Sequence, residues 1–306
     1  MNKISEKEKK MLLLFIERNV RPGPDPHSPD EGIGTVYERI VLDEYFRGLL
    51  NRYDIKTVLE HPADGVTGVP GINSLEFARH SSCKVTLTNP SELMLDGARV
   101  VWEREKLLDN VEFVKCEIDE LPFSDNSFDL SWNFCIFEKF SNPNILVAEL
   151  KRVSKKYVMV LTQNKYNLGT IVHFLYHKFN SLEWDHGFTN LMTMKSILKV
   201  MKDNDLEVLE KGSIDTPPWL DTWDMPLRGE LKKLLGKFGI KWQWETKTKE
   251  AYTDVVQSTS TNTATSKIKK DKGSKLINFC IWIEKNLPQW FAYFQTHHLY
   301  VLARKK

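Results

Sequence analysis

Apolar and polar positions alternate along this chain in short runs that switch repeatedly between a strand-like and a helix-like period. Met11-Leu-Leu-Leu-Phe-Ile16, flanked by Lys and Glu, predicts an amphipathic N-terminal helix too short to span a membrane. Arg21 to Pro29 holds four prolines, each lacking a donor, and predicts a loop. Val36, Ile40, Val41, Tyr45 and Leu49 then recur at helical spacing, predicting a helix from Thr35 to Tyr53. Brief apolar runs follow at Thr57-Val-Leu59, Lys84 to Asn89, Val111 to Glu117, around Asp129 to Trp132, Lys156 to Leu161, Leu206 to Lys211 and His298 to Arg304. Helical patterns lie between several of them, including Asn167 to Phe179 and Thr193 to Lys202 with Thr193 as a cap. Strands alternating with helices predict an α/β fold around a mostly parallel sheet.

The first of these strands carries the most specific signal. Residues 56–78 read as a strand ending in the acid Glu60, a loop with Gly65, Gly68 and Gly71, and the start of a helix. Glycines let the backbone turn tightly and approach a ligand, and the following helix aims free N–H groups at the same place. That order suits a nucleotide-type cofactor, although glycine spacing alone does not say which one.

The choice comes from Leu121-Pro-Phe-Ser-Asp-Asn-Ser-Phe-Asp129, followed by Asn133 to Glu138, Asn142-Pro143 and Glu149-Leu-Lys-Arg-Val153. These segments resemble the class I S-adenosylmethionine-dependent methyltransferases, in particular the small-molecule "type 11" group that includes the ubiquinone and menaquinone enzymes. The resemblance covers about residues 56 to 164, with scattered pieces beyond. It implies a Rossmann-like, seven-stranded, mostly parallel sheet with an antiparallel last strand, S-adenosyl-L-methionine as cofactor, and direct methyl transfer to a small-molecule or lipid-like acceptor. It also implies roles for residues at the strand ends: Glu60, Asp64, Gly65, Thr67 and Gly68 at the amino-acid end, Glu117 and Ile118 at the adenine, and Asn133 along the methionine part.

Two departures accompany the resemblance. His61-Pro-Ala-Asp64 precedes the first glycine where the family has a compact E-x-G-x-G-x-G loop, and the second strand ends Thr88-Asn89-Pro90 instead of in an acid. Asn89 can accept from one ribose hydroxyl and donate to the other, a neutral clamp in place of a charged one. An alternative is therefore a methyltransferase-like binding or scaffold protein with a degenerate cofactor site. A dinucleotide oxidoreductase fits less well, because the LPF-x-D-x-S-FD segment and the antiparallel final strand belong to the methyltransferase pattern.

About eighty residues separate the sixth and last strands, far more than a hairpin needs. The expected organisation is an N-terminal helical cap over 1–53, a Rossmann-like domain over 54–226 plus 296–306, and an insertion over 227–295. The insertion holds a disordered stretch at about 256–274 and an aromatic helix ending near Phe294. Basic residues beside aromatic ones over 267–294 suit peripheral contact with lipid headgroups, against which folding over the acceptor pocket as a lid is the favoured alternative.

Composition changes little. The 306 residues are 41% hydrophobic and 27% charged, enough for one large core, and the net charge of +2 gives no reason to expect a nucleic-acid partner. Cys83, Cys116, Cys135 and Cys280 form no C-x-x-C pair, so neither a zinc knuckle nor a disulfide framework is indicated, and a reducing cytoplasm fits. Neither a signal peptide nor a transmembrane helix is expected. His173 and His177 stand i, i+4 with Asp185 and His186 soon after, but packing roles are expected and no metal is assigned. His186 is the candidate general base. Glu138 is read as structural, and Trp132, Trp184, Trp219 and Trp223 could line an apolar pocket or pack in the core.

Overall fold

In the computed structural model the described residues are 3–18, 33–63, 70–79, 83–184, 186–216, 237 and 272–306. Asp64, Gly65, Thr67, Gly68, Asp185, Trp219, Trp223, the 21–29 loop and the polar stretch at 258–271 lie outside them.

The chain begins with α1 (Glu6–Arg18) and α2 (Ile33–Arg52). Seven strands follow: β1 (Thr57–Glu60), β2 (Lys84–Asn89), β3 (Val111–Lys115), β4 (Phe128–Phe134), β5 (Ser154–Gln163), β6 (Leu206–Ile214) and β7 (His298–Lys305). They form one sheet in the order β3-β2-β1-β4-β5-β7-β6. β3, β2, β1, β4 and β5 pair in parallel, while β7 runs antiparallel to both β5 and β6. This is the mostly parallel, seven-stranded α/β fold with an antiparallel last strand that the sequence predicts.

Between the strands run α3 (Leu75–Arg79), α4 (Glu92–Arg104), α5 (Asn144–Val153), α6 (Leu168–Phe179) and α7 (Met194–Asp203). α8 (Lys272–Asn286) and α9 (Gln289–Gln295) precede β7. Local chemistry sets the helix starts: Thr193 Oγ1 accepts from Ser196 N, and Asn167 Oδ1 accepts from Gly169 N and Thr170 N. The two termini fall one residue inside the predicted segments, because a cap residue belongs to the pattern but not to the helix.

Buried central strands explain the near-continuous apolar runs. Every residue of β4 is buried, as expected for a parallel strand covered on both faces. One core cluster joins α2 (Tyr37, Phe46, Leu49) to α3 and the sheet through Trp102 and Trp132. A second joins Leu12 and Ile16 of α1 to Ile118, Ile136, Phe137 and Leu146. Gly71 adopts φ +67, and a Cβ there would meet Leu87 Cδ1 at 2.3 Å, so the turn after the glycine loop needs glycine twice over. At the opposite edge, Asp129 accepts from the amides of Lys56 and Thr57 and from the Thr57 hydroxyl, tying the start of β1 to β4.

Candidate active site

The strand order reverses between β1 and β4, and the carboxyl ends of those two strands open the crevice where α/β sheets place their ligands. β1 delivers Glu60 there, fully buried. Ser74, in the 3-10 turn Ile72–Ser74, donates from Oγ to Glu60 Oε2 at 2.6 Å, and Trp132 Nε1 donates to Ser74 Oγ at 3.2 Å. The relay aims the carboxylate. Asn73, next to Ser74 in the chain, has its Oδ1 buried without a hydrogen-bond partner among the described residues.

The altered segment after β1 is built into the fold. His61 N donates to Trp132 O, and the fully buried imidazole sits between Thr88 Oγ1 (2.8 Å from Nδ1) and Ile118 O (3.0 Å from Nε2). Burial pushes its pKa down to about 4, against the pull of the Ile118 carbonyl. The ring is therefore neutral near pH 7, with Nε2–H donating to Ile118 O. The single Thr88 hydroxyl proton then has two acceptors within reach, His61 Nδ1 and Glu60 O.

Asn89 is also fully buried. Its Nδ2 donates to Ala63 O at 2.6 Å, and its Oδ1 accepts from Ser91 N at 2.8 Å. Asn133 Nδ2 donates to His61 O, and its Oδ1 accepts from Ile136 N. Both carboxamides thus hold the 61–63 turn and the start of the next element. Ile118 is buried in the α1 cluster, whereas the Glu117 side chain is two-thirds exposed, 3.5 Å from Lys9 Nζ. α1 lies over this side of the crevice: Ile4 N donates to Asp119 Oδ2, Lys9 pairs with Asp119 at 3.0 Å, and Ser91 Oγ donates to Glu17.

On the other side of β4, Glu138 is fully buried and accepts from Thr162 Oγ1 at 2.7 Å. Further along the same edge, Asp215, at the end of β6, meets His297 (Nδ1 to Oδ2, 3.2 Å), and Glu38 of α2 lies 3.6 Å from His298 Nδ1. Glu38, Asp215, His297 and His298 offer atoms within 4.8 Å of one another. Sequence reasoning missed this group, for which the His297-His298 pair at the start of the last strand was the available signal. Glu284 of α8 accepts from Tyr37 Oη (2.9 Å) and Thr216 N (2.7 Å), closing the edge from above. His186 is placed elsewhere, beside His173, His177 and Trp184. A cleft of about 720 Å³ lined by Asp119, Glu149, Arg152 and Asn204 opens beyond Asp119, and its Arg152 is locked to Glu149 and the carbonyls of Leu121 and Phe123.

The chemistry of these groups can be set against an S-adenosylmethionine molecule. A buried carboxylate held by Ser74, with the unpartnered Asn73 Oδ1 nearby in sequence, suits an α-ammonium group, which presents three donors. The ribose end suits it less, since Asn89 spends both ends of its carboxamide on the fold.

Residues 66–161 match the Methyltransferase domain family. The chain is 26% identical over 218 residues to the sterol 24-C-methyltransferase erg-4 of Neurospora crassa, a match covering 67% of this chain and 53% of that one. It spans about half the length of that relative. Among solved structures it is similar to the cyclase SpnF (15% identity, 86% of this chain and 80% of that chain, TM-score 0.49). It is also similar to a SAM-dependent methyltransferase from Aquifex aeolicus (20% identity, 70% and 94%, TM-score 0.41). The family match takes in Gly68, Gly71 and the strands β2 to β5 around the crevice, so residues 66–161 are similar to a methyltransferase domain.

Proposed function

We propose that the protein transfers the methyl group of S-adenosylmethionine to a small-molecule or lipid-like acceptor at the carboxyl edge of the sheet. The observation that carries the proposal is Glu60, buried and aimed by Ser74 and Trp132 at the point where the strand order reverses. The cofactor, when bound, supplies an electrophilic methyl on a sulfonium. Glu60 binds the α-ammonium, Asp64, Gly65, Thr67 and Gly68 take the amino-acid end as the family resemblance implies, Glu117 and Ile118 border the adenine, and Asn133 holds the backbone at His61 in place. Rigid positioning of the reacting pair is then the protein's main contribution. His297, with Asp215 on Nδ1, has the oriented imidazole a general base needs at this edge, whereas His186 is surrounded by other aromatic rings. The relation to a sterol methyltransferase supports a lipid-like acceptor.

Calorimetry of the full chain with S-adenosylmethionine tests this, with Glu60→Gln as the informative variant. Losing one charge-assisted contact lowers affinity by about 10- to 100-fold. Unchanged affinity in the variant would move the ammonium site away from Glu60. A second reading, a binding protein with a degenerate site, is favoured by the engaged carboxamide of Asn89. A folded parent chain that binds no S-adenosylmethionine would select it.

We also propose that 267–294 touches membrane peripherally. Among the described residues of that stretch, Phe279, Trp282 and Trp290 are exposed, Trp290 by 71%, and Phe291 and Phe294 belong to the same pair of helices. No described helix is long and apolar enough to cross a membrane. The purified chain should sediment with anionic vesicles at low salt and less so as salt rises. Failure to sediment would sink the idea.

A further inference from the structure

The i, i+4 spacing of His173 and His177 puts both rings on one face of α6, and both are buried while Ile171, Phe174 and Leu175 of the same helix are exposed. After the helix the chain doubles back and brings His186 to the same place. Ring centroids lie 4.7 Å apart for His173 and His177, 4.3 Å for His173 and His186, and 5.2 Å for His177 and His186. Each ring offers one nitrogen, and the three lie within 4.8 Å of one another.

Tautomer and spacing both matter here. His177 Nδ1 is 2.8 Å from Glu183 O, so its proton sits on Nδ1 and Nε2 carries the lone pair. That Nε2 faces His173 Nε2 at 3.1 Å. A tetrahedral ion holding two imidazoles at about 2.0–2.1 Å sets their nitrogens about 3.3 Å apart, close to this separation. A backbone carbonyl on the far nitrogen is also the outer contact that fixes a ligating histidine.

Several contacts hold the rings in place. Trp184 packs against all three, at 5.6, 5.5 and 4.8 Å, and its Nε1 donates to Gly187 O. Gly187 adopts φ +102 and lies so close to Glu138 that a Cβ would meet its carbonyl oxygen at 2.6 Å. Phe188 N donates to that same oxygen, and Lys139 Nζ donates to His186 O. The loop bearing His186 is thereby clamped to the 3-10 turn Phe137–Lys139 that follows β4.

We propose that His173, His177 and His186 bind a divalent transition-metal ion, zinc foremost. An all-imidazole set selects zinc and its neighbours over magnesium or calcium, which take oxygen ligands. Three protein ligands leave a fourth position open to water or another ligand. The competing arrangement is a purely hydrogen-bonded group, with His173 donating to His177 and no ion. The cluster of Glu38, Asp215, His297 and His298 differs, because its imidazoles already face carboxylates.

The test uses the full chain, purified without a histidine tag, stripped with a chelator and titrated with cobalt(II) and then zinc. Cobalt should bind stoichiometrically at micromolar concentration, give the intense visible bands of a four-coordinate site, and be displaced by zinc. His177→Gln and, from the loop instead of the helix, His186→Gln should each weaken binding by about 100-fold while circular dichroism shows the chain folded. Absence of saturable cobalt binding, or unchanged binding and spectrum in the two folded variants, would overturn the proposal in favour of the hydrogen-bonded arrangement.

Discussion

Trp132→Ala should lower the stability of the folded chain by about 3–5 kcal/mol, the range for deleting a large aromatic from a packed interior. The indole is fully buried, 5.0 Å from Phe46 and 6.2 Å from Phe77 by ring centroid, so it joins α2, α3 and β4 at once. It also donates to Ser74 Oγ, which in turn donates to Glu60. Trp132→Phe separates the two contributions: it keeps most of the volume and loses the donor, at about 1 kcal/mol. Urea unfolding of the parent and both variants measures this. A Trp132→Ala chain within 1 kcal/mol of the parent would show that the indole is not part of the packed core. Retained stability with weakened S-adenosylmethionine binding in Trp132→Phe would show the relay acting on Glu60.

Protonation of the buried His61 should subtract from the protein's stability on acidification, opposing Asp43, whose carboxyl burial pushes up to about 7 and which therefore gains stability as it protonates. His61 has a folded pKa of about 4, lowered first by burial, against about 6.5 in an unfolded chain. Between those values this group binds more protons in the unfolded chain, so its contribution to stability falls as pH drops from about 6.5 towards 4 and is level above that window. The full difference amounts to roughly 3 kcal/mol at 1.36 kcal/mol for each pH step. His298, also buried and held well below the usual histidine range by burial and by His297, contributes with the same sign. Going from pH 7 to pH 5, the urea midpoint of His61→Asn should shift towards higher stability relative to the shift in the parent, the contributions of His298 and Asp43 being common to both. An unchanged slope in a folded His61→Asn chain would assign the acid sensitivity elsewhere. Because His61 bridges Thr88 and Ile118, its protonation should also loosen the turn that carries Glu60 into the glycine loop.

Much of the fold was legible because strands, caps and turns are local. The carboxyl ends of β1, β2 and β4 fell where apolar runs met Glu60, Asn89 and Asn133, and the segment from Leu121 to Asp129 carried the family resemblance. The roles within the site were harder to read. His61 looked like part of a lengthened loop, yet it is a buried imidazole bridging β2 and the segment after β3. Asn89 looked like a ribose clamp, yet its carboxamide serves Ala63 and Ser91. Both outcomes depend on which way a side chain turns once its neighbours are in place, and no periodicity carries that.

By itself, then, the sequence determined the element order, since that rests on spacing within some twenty residues, while the reversed last strand and the cofactor class came from the resemblance carried by the motifs around Leu121 to Asp129. Tertiary structure alone decided which distant residues meet. β7 inserts between β5 and β6, which sets His297 and His298 against Asp215, just past β6, and Glu38 of α2. The return of the chain after α6 sets His186 against His173 and His177. Such meetings follow from burying two faces of one sheet at once, a condition imposed by the whole chain and not by any stretch of it.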